Sequence, residues 1–240
     1  MDVFVATSRG KHMAEHFNKG NRAIFAFEKS ATLEKLGKMA EEIINENKHL
    51  YQDVSHIHPN IVYVIGGLPD TTHMLTDTRY QEVIYTEHPD QTLTRLRKEY
   101  IKLSDFIFSK NAIPCFATYP TMSLTHWNHY RMEIGCTQYL IHFKEYEDMN
   151  YLLNQAIINT NSFIRELNET NNVITPNFSS HIMKKRGQGR GHSIRYNHLY
   201  DGCHVDKYVV GQWILELEHI TSANRYRNAS EAALKDIAGL

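Results

Sequence analysis

The first apolar block of the chain, Val3 to Ala6, contains no polar residue. A short block of this kind, closed by turn residues, is the pattern of a strand covered on both faces. Similar blocks recur at Arg22 to Phe27, Ile61 to Ile65 and Ile113 to Thr118, and Val173 to Thr175 predicts a short last strand. Between them the apolar positions recur at helical spacing. Residues 11 to 19 read as a helix after the turn Thr7-Ser8-Arg9-Gly10. Ser30 is a good N-cap for a helix carrying Leu33, Leu36, Met39, Ala40, Ile43 and Ile44. Thr92 to Phe108 puts Leu93, Leu96, Tyr100, Leu103 and Ile107 on one face. Met149 to Leu167 is a long amphipathic helix, and Val205 to Ile220 a final one. A less regular insert covers 121 to 147, a polar, basic connection covers 177 to 198, and a polar, loosely held tail is expected after 221.

Strands alternating with helices call for βαβ units. The expectation is an α/β chain, a three-layer α/β/α sandwich around a central parallel sheet of about five strands, as one domain over residues 1–240. At 42% hydrophobic, 240 residues suffice to bury such a core. No stretch of eighteen apolar residues predicts a membrane-spanning helix. No basic segment precedes the first apolar block, so no signal peptide is read and a cytoplasmic location is expected. The three cysteines are odd in number and form no C-x-x-C, which argues against a disulfide framework or a thiolate zinc site. A net charge of -1 gives the whole molecule no attraction to nucleic acid or anionic lipid. No cofactor is expected.

In an open parallel sheet, ligands gather at the carboxyl ends of the strands. Ser8 leaves the first strand there. Gly66-Gly67-Leu68-Pro69-Asp70 leaves the third, and Asp201-Gly202-Cys203-His204 precedes the last helix. A hydroxyl, an acid and an imidazole thus converge on one edge. Asp201-Gly202-Cys203-His204, with Leu199-Tyr200 before it and a helix containing Trp213 after it, resembles the D-x-x-H block of the SGNH hydrolases, the GDSL-like esterase and lipase superfamily. Ala6-Thr7-Ser8 stands where that family has G-D-S. Lys29-Ser30-Ala31-Thr32-Leu33 resembles its second block, and Gly67-Leu68-Pro69-Asp70 its G-x-N-D block. The resemblance spans the chain in order and marks a divergent member.

The resemblance implies acyl transfer. Ser8 would attack the carbonyl of a small carboxyl ester, His204 would take and return the hydroxyl proton, and Asp201 would orient the imidazole. Ser30, Gly67 and Asp70 fall at oxyanion and substrate-binding positions. Ser30 replaces a glycine but keeps its N–H, whereas Pro69 replaces an asparagine and offers no donor at all. Losing one oxyanion donor costs about 10²–10³ in rate.

Plainer roles exist for the same residues. Ser8 and Asp201 are both good helix caps. Cys203 fits a small buried position. His198, His204 and Asp206 lack the spacing of metal ligands. Lys184, Lys185, Arg186, Arg190 and Arg195 stand in a segment without acids. That segment reads first as a solvated loop and alternatively as a contact for RNA or phosphate. Two functions follow: a serine esterase or deacylase, or an SGNH-like binding module with weakened catalysis.

Overall fold

A computed structural model of the chain describes residues 2–17, 23–47, 60–76, 81–185 and 192–238. In chain order come β1 (Asp2–Ala6), α1 (Lys11–Phe17), β2 (Ala23–Phe27), α2 (Leu33–Glu46), β3 (Asn60–Ile65) and α3 (Leu68–Thr71). They are followed by β4 (His73–Thr76), β5 (Gln81–Ile84), α4 (Pro89–Phe108), β6 (Ala112–Phe116) and α5 (Leu124–Glu133). Then come α6 (Tyr146–Thr170), β7 (Met183–Lys185), β8 (His192–Ile194) and α7 (Lys207–Ala238). Four strands pair in parallel in the order β2-β1-β3-β6, while β4–β5 and β7–β8 are separate antiparallel pairs. The fold is α/β, with helices on both faces of the parallel sheet, as the alternation of blocks predicts.

Every residue of β1 and β3 is buried, which is why neither shows an alternating pattern. Val3, Val5, Val62 and Val64 face the layer of α2, α4 and α6. Phe4, Ala6, Tyr63 and Ile65 face Met13 and Ala14 of α1 and Val209, Trp213 and Leu217 of α7. The chain leaves β1 for β2 on one side, then returns past β1 to β3 on the other. Right-handed crossovers in opposite directions put α1 and α2 on opposite faces. They leave a crevice between the carboxyl ends of β1 and β3, the place where open α/β sheets bind ligands.

The sheet has four strands, and Val173 to Thr175 is not a fifth. Asparagine side chains of α6 and of its C-cap, Asn171, take the outer edge of β6 and of the loop after it instead. Asn168 accepts from Phe116 N at 2.9 Å and donates to Phe116 O at 2.6 Å. Asn161 does the same to Tyr119, at 3.0 and 2.9 Å, and Asn171 donates to Pro114 O at 3.2 Å. With these backbone groups satisfied, no ladder is left for residues 173 to 175. Ile174 N is itself taken by Asn224 Oδ1 at 2.6 Å.

Two local expectations also change. Ser30 is not the cap of α2. It is exposed with φ 56, and Thr32 caps the helix by accepting from Lys35 N. The polar stretch after 221 is not a loose tail, because α7 continues through it to Ala238. Among the described residues no helix is long and apolar enough to cross a membrane.

Candidate active site

Ser8 begins a single 3-10 turn, Ser8–Gly10, at the carboxyl end of β1 and runs on into α1. Thr7 N is bonded to Ile65 O at 3.0 Å, so the turn is fixed against the end of β3. This holds the Ser8 side chain, half-buried, over the crevice between the two strands.

The turn from Leu199 to Val205 is closed by a backbone bridge between those two residues and by a bond from Tyr200 N to His204 O at 3.0 Å. Inside it, Asp201 is buried, and one carboxylate oxygen accepts from both Cys203 N (2.9 Å) and His204 N (2.6 Å). The other accepts from His204 Nδ1 at 2.6 Å. Gly202 sits at φ 85, and a Cβ there would lie 2.5 Å from Trp127 N, so the D-G-x-H spelling is also what lets the turn pack on α5. The capping of α7 falls to Asp206, whose carboxylate accepts from Val209 N at 2.9 Å. Asp201 is thereby left to the histidine.

Burial pushes the Asp201 carboxyl up, but its bonds to the His204 ring and to the two backbone N–H groups outweigh this and hold it below the usual carboxylate value. Its charged form is the one the site favours. His204 Nε2 lies 3.0 Å from Ser8 Oγ, across 196 positions of sequence. The His204 ring is stacked on Tyr200, with centroids 5.9 Å apart, and meets the edge of Trp127 at 5.6 Å. Burial pushes the neighbouring Cys203 thiol up, ahead of a smaller opposing effect of Arg9. A protonated thiol is a poor nucleophile.

The structure thus brings Ser8, His204 and Asp201 together. Ser30 and Gly67 in the neighbouring loops and Asp70 in α3 form no hydrogen bond to those three among the described residues. Asp70 turns its carboxylate to Leu33 N, at 3.0 and 3.2 Å, and so ties the loop after β3 to the start of α2. Gly67 precedes α3 at φ 115, where a Cβ would lie 2.4 Å from the Tyr100 hydroxyl. Pro69 occupies the first turn of α3, where a missing N–H costs the helix nothing. In the basic segment, Lys184 and Lys185 lie on β7, Arg195 is exposed just after β8, and Arg186 and Arg190 lie outside the described residues.

Sequence reasoning missed Arg9, Trp127 and the stacking of Tyr200. Arg9 is buried beside Ser8 and donates to Pro120 O and Thr121 O. The one signal was a cation directly after Ser8, closing a stretch from Val3 that holds no charged residue. Trp127 gave none. A hollow of about 530 Å³ is lined by His126, His129, Tyr130, Tyr196 and Tyr200 together with Asp201 and Gly202.

No protein-family profile and no curated protein matches this sequence. Solved structures do match in fold. A protein assigned as an acylhydrolase from Bacteroides fragilis aligns with TM-score 0.59 at 12% identity, over 95% of this chain and 87% of its own. A GDSL-like lipase from Bacteroides thetaiotaomicron aligns with TM-score 0.56 at 13% identity, over 92% and 88%. A member of the lipolytic G-D-S-L family from Veillonella parvula aligns with TM-score 0.52 at 7% identity, over 92% and 97%. The chain has the fold of the SGNH hydrolases, reached at very low sequence identity.

Proposed function

We propose that this chain, built on the SGNH-hydrolase fold, hydrolyses a small carboxyl ester with Ser8 as nucleophile, His204 as general base and Asp201 as its orienting acid. One observation carries the reading: the unbroken relay from Ser8 Oγ to His204 Nε2 (3.0 Å) and from His204 Nδ1 to Asp201 Oδ2 (2.6 Å). Plain caps or chance neighbours have no need of both bonds.

The protons follow from the partners. A carboxylate only accepts, so His204 Nδ1 carries hydrogen and Nε2 accepts from the Ser8 hydroxyl. As Ser8 Oγ adds to the ester carbonyl, its proton passes to Nε2 and the imidazolium is held by Asp201. His204 then protonates the departing alcohol, and water repeats the sequence on the acyl-serine. The backbone N–H groups of Ser8 and Ser30 are the proposed oxyanion donors, with Gly67 in the adjoining wall. Asp70 acts indirectly, by tying the two loops together. Pro69 leaves this hole one donor short, so turnover of a simple aryl acetate is expected to be slow.

The neighbours are hydrolases, and nothing among them supports the RNA- or phosphate-contact alternative. The test of the esterase reading is covalent. A fluorophosphonate probe should label the protein at Ser8, as mapped by peptide mass spectrometry, and Ser8→Ala should abolish both the label and aryl acetate hydrolysis. Labelling elsewhere, or equal hydrolysis by wild type and Ser8→Ala, would falsify it.

A further inference from the structure

Arg9 is 7% exposed, and among the described residues it forms no ion pair. Buried guanidinium groups are normally matched by a carboxylate, because the charge is otherwise expensive to take out of water. Here Nη1 donates to Pro120 O at 2.6 Å, and Nη2 reaches Thr121 O at 3.2 Å and Cys203 Sγ at 3.8 Å. Nε is buried without a partner. Three segments therefore meet on one side chain: the turn of Ser8, the loop after β6 and the turn of His204. The contact between residues 9 and 203 runs beside the bond between residues 8 and 204.

We propose that Arg9 is a positioning residue for the Ser8–His204 pair, and that its uncompensated charge favours the oxyanion for which Pro69 supplies no donor. The proposal rests on the esterase reading. Carbonyl acceptors fix a guanidinium without cancelling its charge, so its field persists in the surrounding protein. In the resting site the oxygen of Ser8 and the ester carbonyl are neutral and gain little from that field. Negative charge appears on the carbonyl oxygen only as the Oγ–C bond forms and the C=O π bond opens. An interaction that grows at that point lowers the barrier without tightening substrate binding. A residue serving only to brace the fold would have no such signature.

The experiment compares wild type, Arg9→Lys and Arg9→Gln on p-nitrophenyl acetate, with fluorophosphonate labelling rates and thermal melts of each. Arg9→Gln keeps an amide that can bond a carbonyl but removes the charge. Its kcat is expected to fall about 10²-fold, the scale of one oxyanion contact, with KM little changed. Arg9→Lys keeps the charge and loses the fork, and is expected to recover much of that loss. A folded Arg9→Gln with wild-type kcat and labelling rate overturns the proposal. So does an equal loss in both variants, or a loss that appears only in KM. If Arg9→Gln does not fold, Arg9→Lys decides: retention of roughly a tenth of kcat or more supports the role, and a fall to the level of Ser8→Ala overturns it. A wild type that neither labels nor hydrolyses overturns the esterase reading itself. A wild type that labels no faster than Arg9→Gln overturns only the part given to Arg9.

Discussion

The two ends of the parallel sheet each bury a charge and treat it differently. At the amino end, Asp2 is 1% exposed at the start of β1 and is met by Arg225 of α7 at 2.6 Å. Burial pushes the Asp2 carboxyl up, and the neighbouring guanidinium pulls it only part of the way back. At the carboxyl end of the same strand, Arg9 is held by backbone carbonyls and has no carboxylate in contact, while the nearby Asp201 spends its charge on a histidine. A buried charge that serves only the fold is neutralised. A buried charge next to a hydroxyl–imidazole pair is left in force. The difference separates what stabilises this molecule from what is proposed to make it react.

Four substitutions test that separation. The largest effect is expected from Asp201→Asn, which keeps the shape of the turn but favours the wrong histidine tautomer. Aryl acetate turnover should fall by about 10⁴-fold, with the melting temperature changed far less than the rate. Arg225→Met should do the reverse. Breaking a buried pair costs about 3–5 kcal/mol, and because Arg225 is 40% exposed the loss should be smaller, about 2 kcal/mol in urea unfolding. Its activity per folded molecule should match wild type, and a lower kcat there would break the comparison.

The third substitution reads the carboxyl end through pH. Burial pushes the Asp70 carboxyl up to about 6, against the opposing effects of the Leu33 N–H and of Arg95. The folded chain therefore holds a proton that the unfolded chain has released between about pH 4 and 6. The stability linked to this group is present at the acid side and is lost as pH rises through about 6. Wild-type unfolding free energy should fall by about 2 kcal/mol over that window from this group. Asp70→Asn should flatten the curve, and an unchanged slope would show that Asp70 is not its source. The smallest effect is expected from Pro69→Asn. It restores a side-chain donor to the loop after β3 but also frees a backbone that proline held. Ser8-dependent turnover should rise by less than about tenfold, and a larger gain would mean that the loop already aims at the oxyanion.

Much of this was legible in the residues. The four parallel strands are visible as apolar blocks because polar residues occur only at their starts, Asp2 in β1 and Asn60 in β3. Ser8, Asp201 and His204 are visible because their order along the chain places all three at one sheet edge. Other features depend on partners that no local pattern records. Val173 to Thr175 has strand composition, yet the edge it would join is filled by Asn161, Asn168 and Asn171, whose role depends on where α6 packs. Ser30 and Thr32 are both good caps two residues apart, and the choice falls to Thr32 where Asp70, from α3, holds Leu33 N. The burial of Arg9 is set by Pro120, Thr121 and Cys203, more than a hundred positions away.

The bond between Ser8 and His204 spans 196 positions, and this has a consequence in time as well as in space. A ribosome adding about 5–20 residues per second reaches His204 roughly 10–40 s after Ser8. Throughout that interval the emerging chain carries the Ser8 hydroxyl without the imidazole that it is bonded to in the fold. β1, β2 and β3 can gather early, but the turn from Leu199 to Val205 arrives only when most of the polypeptide has been made. On the proposed mechanism a half-translated chain is therefore silent toward esters, and premature termination before residue 204 yields a product without the proposed base.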